Sequence, residues 1–322
     1  MNSLMKRILL GAIALTAMGA VTAQELTGYA GGLRVKETKE NTFTGGVAYT
    51  HPVGDYLGFS LSYWNEGHPT DHHRDGVAGQ VWVRSGYNEP GWNFGAGAGQ
   101  YYYFDTTELH SKGSTKYTND HGWAAIYSLQ ATYHYENSRW YNQVQLNHIS
   151  PSSGKDSTTL LVLGVGYQFS GVKGDKLHLE GPSTDEAITL MAGQGITNSL
   201  DSERATIAAL EYRRAIGRYV DWTVTAINEG STAQSKRNGV ASQLWLIRSV
   251  SPKVEIGAGA GFYFNAKVPD ADGQRSHKAG LISIATRYHL TRRVVGEVTW
   301  NRVVSDYHRD ADLFLMGLGY SF

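Results

Sequence analysis

A histidine and a serine two residues apart can act as base and nucleophile if they share a face, and Asn147-His148-Ile149-Ser150 supplies such a pair. On a strand, side chains at i and i+2 point the same way. Gln143, Gln145 and Asn147 then take one side, while Val144, Leu146, His148 and Ser150 take the other, so the reactive pair stands on the apolar face. A second group, His68, Asp71, His72, His73 and Asp75, offers zinc-type ligands within one loop. A loop cluster of this kind reads as solvated, and we assign no metal and no cofactor. A third pair, Glu66 and Arg74, reads as a salt bridge tying down a mouth, with a charged constriction as the alternative.

The elements that must position these residues come in two copies. Asn65-Glu66-Gly67 and Arg74 through Trp82 return, at an offset of 163 residues, as Asn228-Glu229-Gly230 and Arg237 through Trp245. Gly95 through Gly99 returns as Gly257 through Gly261, and the Gly-x-Gly-Tyr-x-Phe ending at Phe169 returns at Phe322. Such self-similarity marks a tandem duplication. Its matched polar positions are Glu66, Arg74, Gln80 and Trp82 in one unit and Glu229, Arg237, Gln243 and Trp245 in the other. The histidine cluster has no second copy, since Ser231 to Lys236 stands there instead.

Lys6 and Arg7 followed by an apolar run to Val21 and then Val21-Thr22-Ala23 read as a signal peptide over 1–23. Removing it takes away two basic and no acidic residues from 29 of each, leaving a net charge of −2. That balance carries no nucleic-acid footprint. The absence of cysteine excludes disulfides and thiolate metal sites. The 38 Gly, 20 Tyr and 8 Trp against 7 Pro suit many strands, tight turns and aromatic girdles.

Alternation over about ten residues recurs along the chain without a helical period. It predicts strands at 25–35, 42–52, 56–66, 76–87, 91–104, 122–135, 139–149 and 158–169, and again at 187–197, 203–215, 219–229, 239–250, 253–265, 279–290, 293–303 and 312–322. Turns alternate between short (53–55, 88–90, 136–138) and long and polar, such as 106–121. The expectation is an all-β transmembrane antiparallel barrel of 16 strands from two 8-stranded repeats, 24–169 and 187–322, joined by a periplasmic linker at 170–186. One sixteen-stranded barrel is the first arrangement, and two tandem eight-stranded barrels the alternative. Parity puts Leu57, Phe59, Leu61, Tyr63, Val81, Val83, Leu161, Leu163, Val165, Phe169 and Phe322 toward lipid, and Ser60, Ser62, Gln80, Trp82, Gly95, Gly97 and Gly99 inside. The inward glycines read as curvature points.

The alternating last strand, ending in Tyr320 and Phe322, resembles the insertion signal of bacterial outer-membrane barrels, which implies the outer membrane of a Gram-negative cell and handling by the barrel assembly machinery. A lumen of Ser, Thr, Gln, Tyr and Trp suits a porin-like, non-enzymatic channel for sugar-like solutes, or one working with a polysaccharide export complex. The first unit also resembles the lipid A 3-O-deacylase family through His148-x-Ser150 near its last strand. That resemblance implies an ester hydrolase acting on lipopolysaccharide, with His148 activating Ser150. It also implies an acid on the last strand, where this chain has Thr159. In the second unit, Asn301-Arg302-Val303-Val304 carries no copy of the pair.

Overall fold

The computed structural model describes residues 24–322 except 70–71, 88, 112–113, 153, 170–185, 199–201, 218, 231–236, 266–277 and 306–308. The expected signal peptide, nearly all of the expected linker, and Asp71 lie outside the described residues. The first unit contains β1 (Glu25–Val35), β2 (Asn41–Val53), β3 (Leu57–Asn65), β4 (His72–Arg84), β5 (Gly91–Ser111), β6 (Ser114–His134), β7 (Trp140–Pro151) and β8 (Thr158–Gln168). The second contains β9 (Glu186–Thr197), β10 (Arg204–Gly217), β11 (Val220–Asn228), β12 (Asn238–Ser251), β13 (Val254–Asn265), β14 (Lys278–His289), β15 (Val294–Val304) and β16 (Ala311–Ser321).

The strands close as two eight-stranded antiparallel barrels, which corrects the single sixteen-stranded arrangement in favour of its alternative. One seam runs from Glu25↔Gln168 to Val35↔Thr158, joining β1 to β8. The other runs from Ala187↔Ser321 to Thr197↔Ala311, joining β9 to β16. Each repeat thus satisfies its own edge strands, and an edge already paired has no hydrogen bonds to offer a neighbour.

Burial alternates as the pleat requires. Along β8, Leu160, Val162, Gly164 and Gly166 are inside, while Leu161, Leu163 and Val165 are exposed. Leu129, Leu161, Leu163, Val165, Leu190, Met316 and Leu318 are among the large apolar side chains exposed on the strands, and Trp92, Tyr133, Tyr135, Trp140 and Tyr167 form an aromatic girdle at the end with short turns. Closed sheets with apolar outsides and no unpaired edge are built to span a membrane, with the short turns periplasmic. Phe169 differs from expectation: it is buried, because the chain has left the strand and its N–H donates to the Gln24 carbonyl at 2.8 Å.

Two local features also depart from the sequence reading. The segment 106–121, expected as a loop, is the outer half of a hairpin in which β5 and β6 each run 21 residues and pair through Thr106↔Asn119 and Thr107↔Thr118. Polarity there reflects distance from lipid, while the β-branched threonines favour continued pairing. Of the inward glycines, Gly97 and Gly259 leave space for rings, whereas Gly99 and Gly261 lie against neighbouring backbone. A Cβ at Gly97 would sit 2.7 Å from the Trp82 ring, and one at Gly259 would sit 2.5 Å from the Trp245 ring. The two indoles lie across the lumen in the same way, Trp82 Nε1 donating to Ser60 Oγ at 2.8 Å and Trp245 Nε1 to Thr223 Oγ1 at 3.0 Å.

Replacing Gly97 with Ala should therefore cost about 1–3 kcal/mol through overpacking, read from urea unfolding of the refolded protein. The same change in a Trp82→Ala background should cost much less. An equal cost in both backgrounds would show that backbone curvature, and not the ring, sets the need for glycine.

Candidate functional site

The interiors are filled by hydrogen-bonded side chains. In the first barrel Gln80 Nε2 donates to Ser128 Oγ at 2.9 Å, Ser128 Oγ donates to Asn147 Oδ1 at 2.6 Å, and Gln145 Nε2 reaches the same Asn147 oxygen at 2.7 Å. The second barrel repeats the chain with Gln243, Ser283 and Asn301 at 2.8 and 2.6 Å. Below this layer the first barrel holds an ion pair between Arg84 and Glu25 at 2.7 Å. The second holds a wider network in which Arg213 meets Glu211 at 2.8 Å and Glu297 at 2.9 Å, and Arg287 and His289 both meet Glu255 at 3.2 Å. The sequence reading missed this network, although all six residues carry lumen parity.

Glu66 and Arg74 meet at the outer mouth of the first barrel. Arg74 Nε and Nη2 donate to the two Glu66 carboxylate oxygens at 2.8 and 2.7 Å, and Nη1 donates to the Asp156 carbonyl at 2.9 Å. Both side chains are 2% exposed, so the pair is a buried one. Arg237 and Glu229 repeat it at 2.7 Å, with Nη1 on the Arg309 carbonyl at 2.6 Å. In each barrel the arginine thus ties the β3–β4 or β11–β12 hairpin to the loop before the last strand.

In the first barrel a second tie joins that loop to the extended hairpin. Lys155 Nζ donates to Asp105 at 2.9 Å and to Asp120 at 2.8 Å. Burial opposes its charge, but the bonds to Asp120 and Asp105 outweigh this and hold its pKa above the ordinary lysine value. A cavity of about 200 Å³ lies at the same mouth, lined by Glu40, Glu66, His72, Arg74, Asp156 and Thr158 among others.

The histidine cluster is dispersed by packing. His68 stacks on His73 at 4.4 Å, His73 Nδ1 lies 2.9 Å from the Gly67 carbonyl, His72 pairs with Asp105 at 3.2 Å, and Tyr63 donates to Asp75 at 2.7 Å. Partial burial, with the neighbouring His73 adding to it, lowers the His68 pKa. Among the described residues, no three His, Cys, Asp or Glu side chains converge as metal ligands.

His148 and Ser150 sit at the outer end of β7, half-buried and on the outward face, while Asn147 and Ile149 point inward. Across the seam with β8, His148 pairs with Thr159, and its Nδ1 lies 3.1 Å from Thr159 Oγ1. That contact anchors one ring nitrogen and leaves Nε2 available for proton transfer. His148 and Ser150 are about 7 Å apart along the strand. Among the described residues no hydrogen bond joins them. At the same register of the second barrel stand Arg302 and Asp312, paired at 2.7 Å, with Trp300 Nε1 donating to Asp312 at 2.9 Å. Equivalence follows from Asn301, which occupies the place of Asn147 in the buried chain. The acid absent at Thr159 is thus present in the copy that lacks the histidine and serine.

No family model matches the chain, and no curated protein matches it. Among solved structures, it is similar to the N-terminal β-barrel domain of Pseudomonas aeruginosa OprF, at 16% identity over 46% of this chain and 99% of that one, with a TM-score of 0.36. Neisserial surface protein A gives 14% identity, 47% and 99% coverage and a TM-score of 0.37. The monoaromatic hydrocarbon channel CymD gives 8% identity, 98% and 92% coverage and a TM-score of 0.25. These likenesses are too distant to carry a function. The chain's own closed sheets and outward apolar side chains are those of an outer-membrane-type β-barrel protein.

Removing one partner of a buried ion pair leaves a charge without compensation, so Arg74→Ala should lower stability by about 3–5 kcal/mol. The double change Glu66→Leu with Arg74→Met should recover most of that loss. Unfolding midpoints in urea for wild type and both variants check this, and a single variant as stable as wild type would refute it.

Proposed function

We propose that the protein is an outer-membrane ester hydrolase that acts on acylated lipid in the outer leaflet, with Ser150 as nucleophile and His148 as base. The observation that carries this is the outward-facing His148, anchored through Nδ1 to Thr159 at 3.1 Å and one strand repeat from Ser150. A polar pair on the outward face, with the lumen filled by side chains, supports chemistry on lipid over chemistry on a solute inside.

In this mechanism Ser150 Oγ attacks the ester carbonyl while His148 Nε2 takes the hydroxyl proton. The tetrahedral intermediate collapses, the C–O bond to the sugar breaks, and His148 returns the proton to the leaving oxygen. Water then attacks the acyl-serine with His148 again as base, releasing the fatty acid and restoring Ser150. A threonine hydroxyl orients the imidazole but carries no charge to stabilise the imidazolium, so the rate falls short of what a carboxylate partner would allow. The substrate class that fits is an ester-acylated glycolipid such as the lipid A part of lipopolysaccharide. The second barrel contributes no copy of the pair.

A channel-like role is the second reading, favoured by the cavity of about 200 Å³ at the mouth of the first barrel. Eight-stranded barrels fill their interiors with side chains, so this role requires the Arg74–Glu66 pair to act as a gate. Amide-rich walls suit sugar-like solutes; a polysaccharide would need a far wider path.

Fatty-acid release from lipid A by the refolded protein separates the readings. His148→Ala and Ser150→Ala should each cut release by roughly 10²–10⁴-fold, and Thr159→Glu should raise it by about tenfold or more by supplying the missing charge. Release unchanged in Ser150→Ala would remove the hydrolase. Steady bilayer conductance that grows in Arg74→Ala would establish the channel.

A further inference from the structure

One row of outward-facing residues crosses the seam of the first barrel at the height of the reactive pair. Pairing aligns Tyr127 with His148, His148 with Thr159, and Thr159 with Arg34 on β1. The Arg34 side chain is exposed and makes no hydrogen bond or ion pair among the described residues. With neighbouring strands about 4.8 Å apart, its backbone lies about 10 Å from that of His148. Toward the periplasm the next outward residues are Leu161 and Leu146, which begin the apolar band.

An arginine on the outside of a barrel is costly near the bilayer midplane and tolerated at the headgroup level, where anionic groups lie. The second barrel shows how this surface looks when its charges are matched internally. Its row reads Ile196, Asp312 and Arg302, with the last two neutralising each other at 2.7 Å. The first barrel reads Arg34, Thr159 and His148 in the same places, so the Arg34 cation has no carboxylate beside it in the row.

We propose that Arg34 is the specificity-determining residue of this surface, holding a phosphate on the glycolipid headgroup while an ester chain of the same molecule reaches Ser150. The proposal rests on the hydrolase reading for its substrate. A guanidinium binds phosphate through two parallel N–H···O bonds, which fixes the headgroup's position along the row and leaves the acyl chains against Leu161 and Leu146. A neutral acylated lipid would lack that anchor. Arg34 itself takes no part in bond making or breaking.

The test uses full-length mature protein carrying Ser150→Ala, so that binding is read without turnover. Retention of lipid A is compared with that of dephosphorylated lipid A by native mass spectrometry from neutral phosphatidylcholine vesicles. The expected preference for the phosphorylated form is about fivefold to tenfold. It should vanish in Ser150→Ala with Arg34→Gln and persist in part with Arg34→Lys. An undiminished preference in the Arg34→Gln protein overturns the proposal, as does displacement of lipid A by inorganic phosphate alone, which would mark a simple anion site. Wild-type protein releasing no fatty acid while the Arg34-dependent preference stands would refute the hydrolase and keep the phosphate site. Intact barrel migration on a gel with and without heating establishes that each variant is folded.

Discussion

Everything in this molecule follows from the need to pair every backbone N–H and C=O where no water is present. A sheet in lipid has to close, and here it closes after eight strands, twice. Eight strands leave an interior only wide enough for side chains. The interior is then obliged to satisfy its own polar groups, and the Gln80–Ser128–Asn147 chain and its copy Gln243–Ser283–Asn301 do so in both barrels. Closure also inverts the usual hydrophobic arrangement, sending Leu161, Leu163 and Val165 outward to meet lipid. Any polar group on that outside is then conspicuous.

Two consequences set the functional reading. A filled lumen moves the search for chemistry to the mouth and to the outer wall. At the mouth, Arg74 and Glu66 are committed to each other, and Lys155 to Asp105 and Asp120, so these charges hold loops in place. The loop they hold is the one that follows Ser150 and precedes Thr159. Structural ties at the mouth thus hold the loop beside His148 and Ser150, and the second barrel, with Arg302 and Asp312 in the place of His148 and Thr159, keeps the scaffold without that pair.

Much of this was legible in the sequence, for a physical reason. Alternation encodes face directly, so Gln80 and Trp82 inside and Val81 and Val83 outside could be read residue by residue, and the 163-residue offset tied Trp82 to Trp245. Closure was not legible. β1, β8, β9 and β16 share one pattern, and nothing in that pattern says which edge meets which. The polar run 106–121 misled because a strand beyond the membrane needs no apolar face. Arg213, Arg287 and Glu297 were visible singly, but only strand tilt and register bring them together, and the Cβ clash that Gly97 avoids depends on where one indole lies.

The central claim is that Ser150 is an activated nucleophile on the outer wall, and covalent labelling tests it most directly. Folded protein in lipid would be treated with a lipid-tailed fluorophosphonate and digested, and the modified residue located by mass spectrometry. The account predicts an adduct on Ser150 that is lost in His148→Ala. Folded wild-type protein with Ser150 unmodified, or labelling that persists without His148, would contradict it.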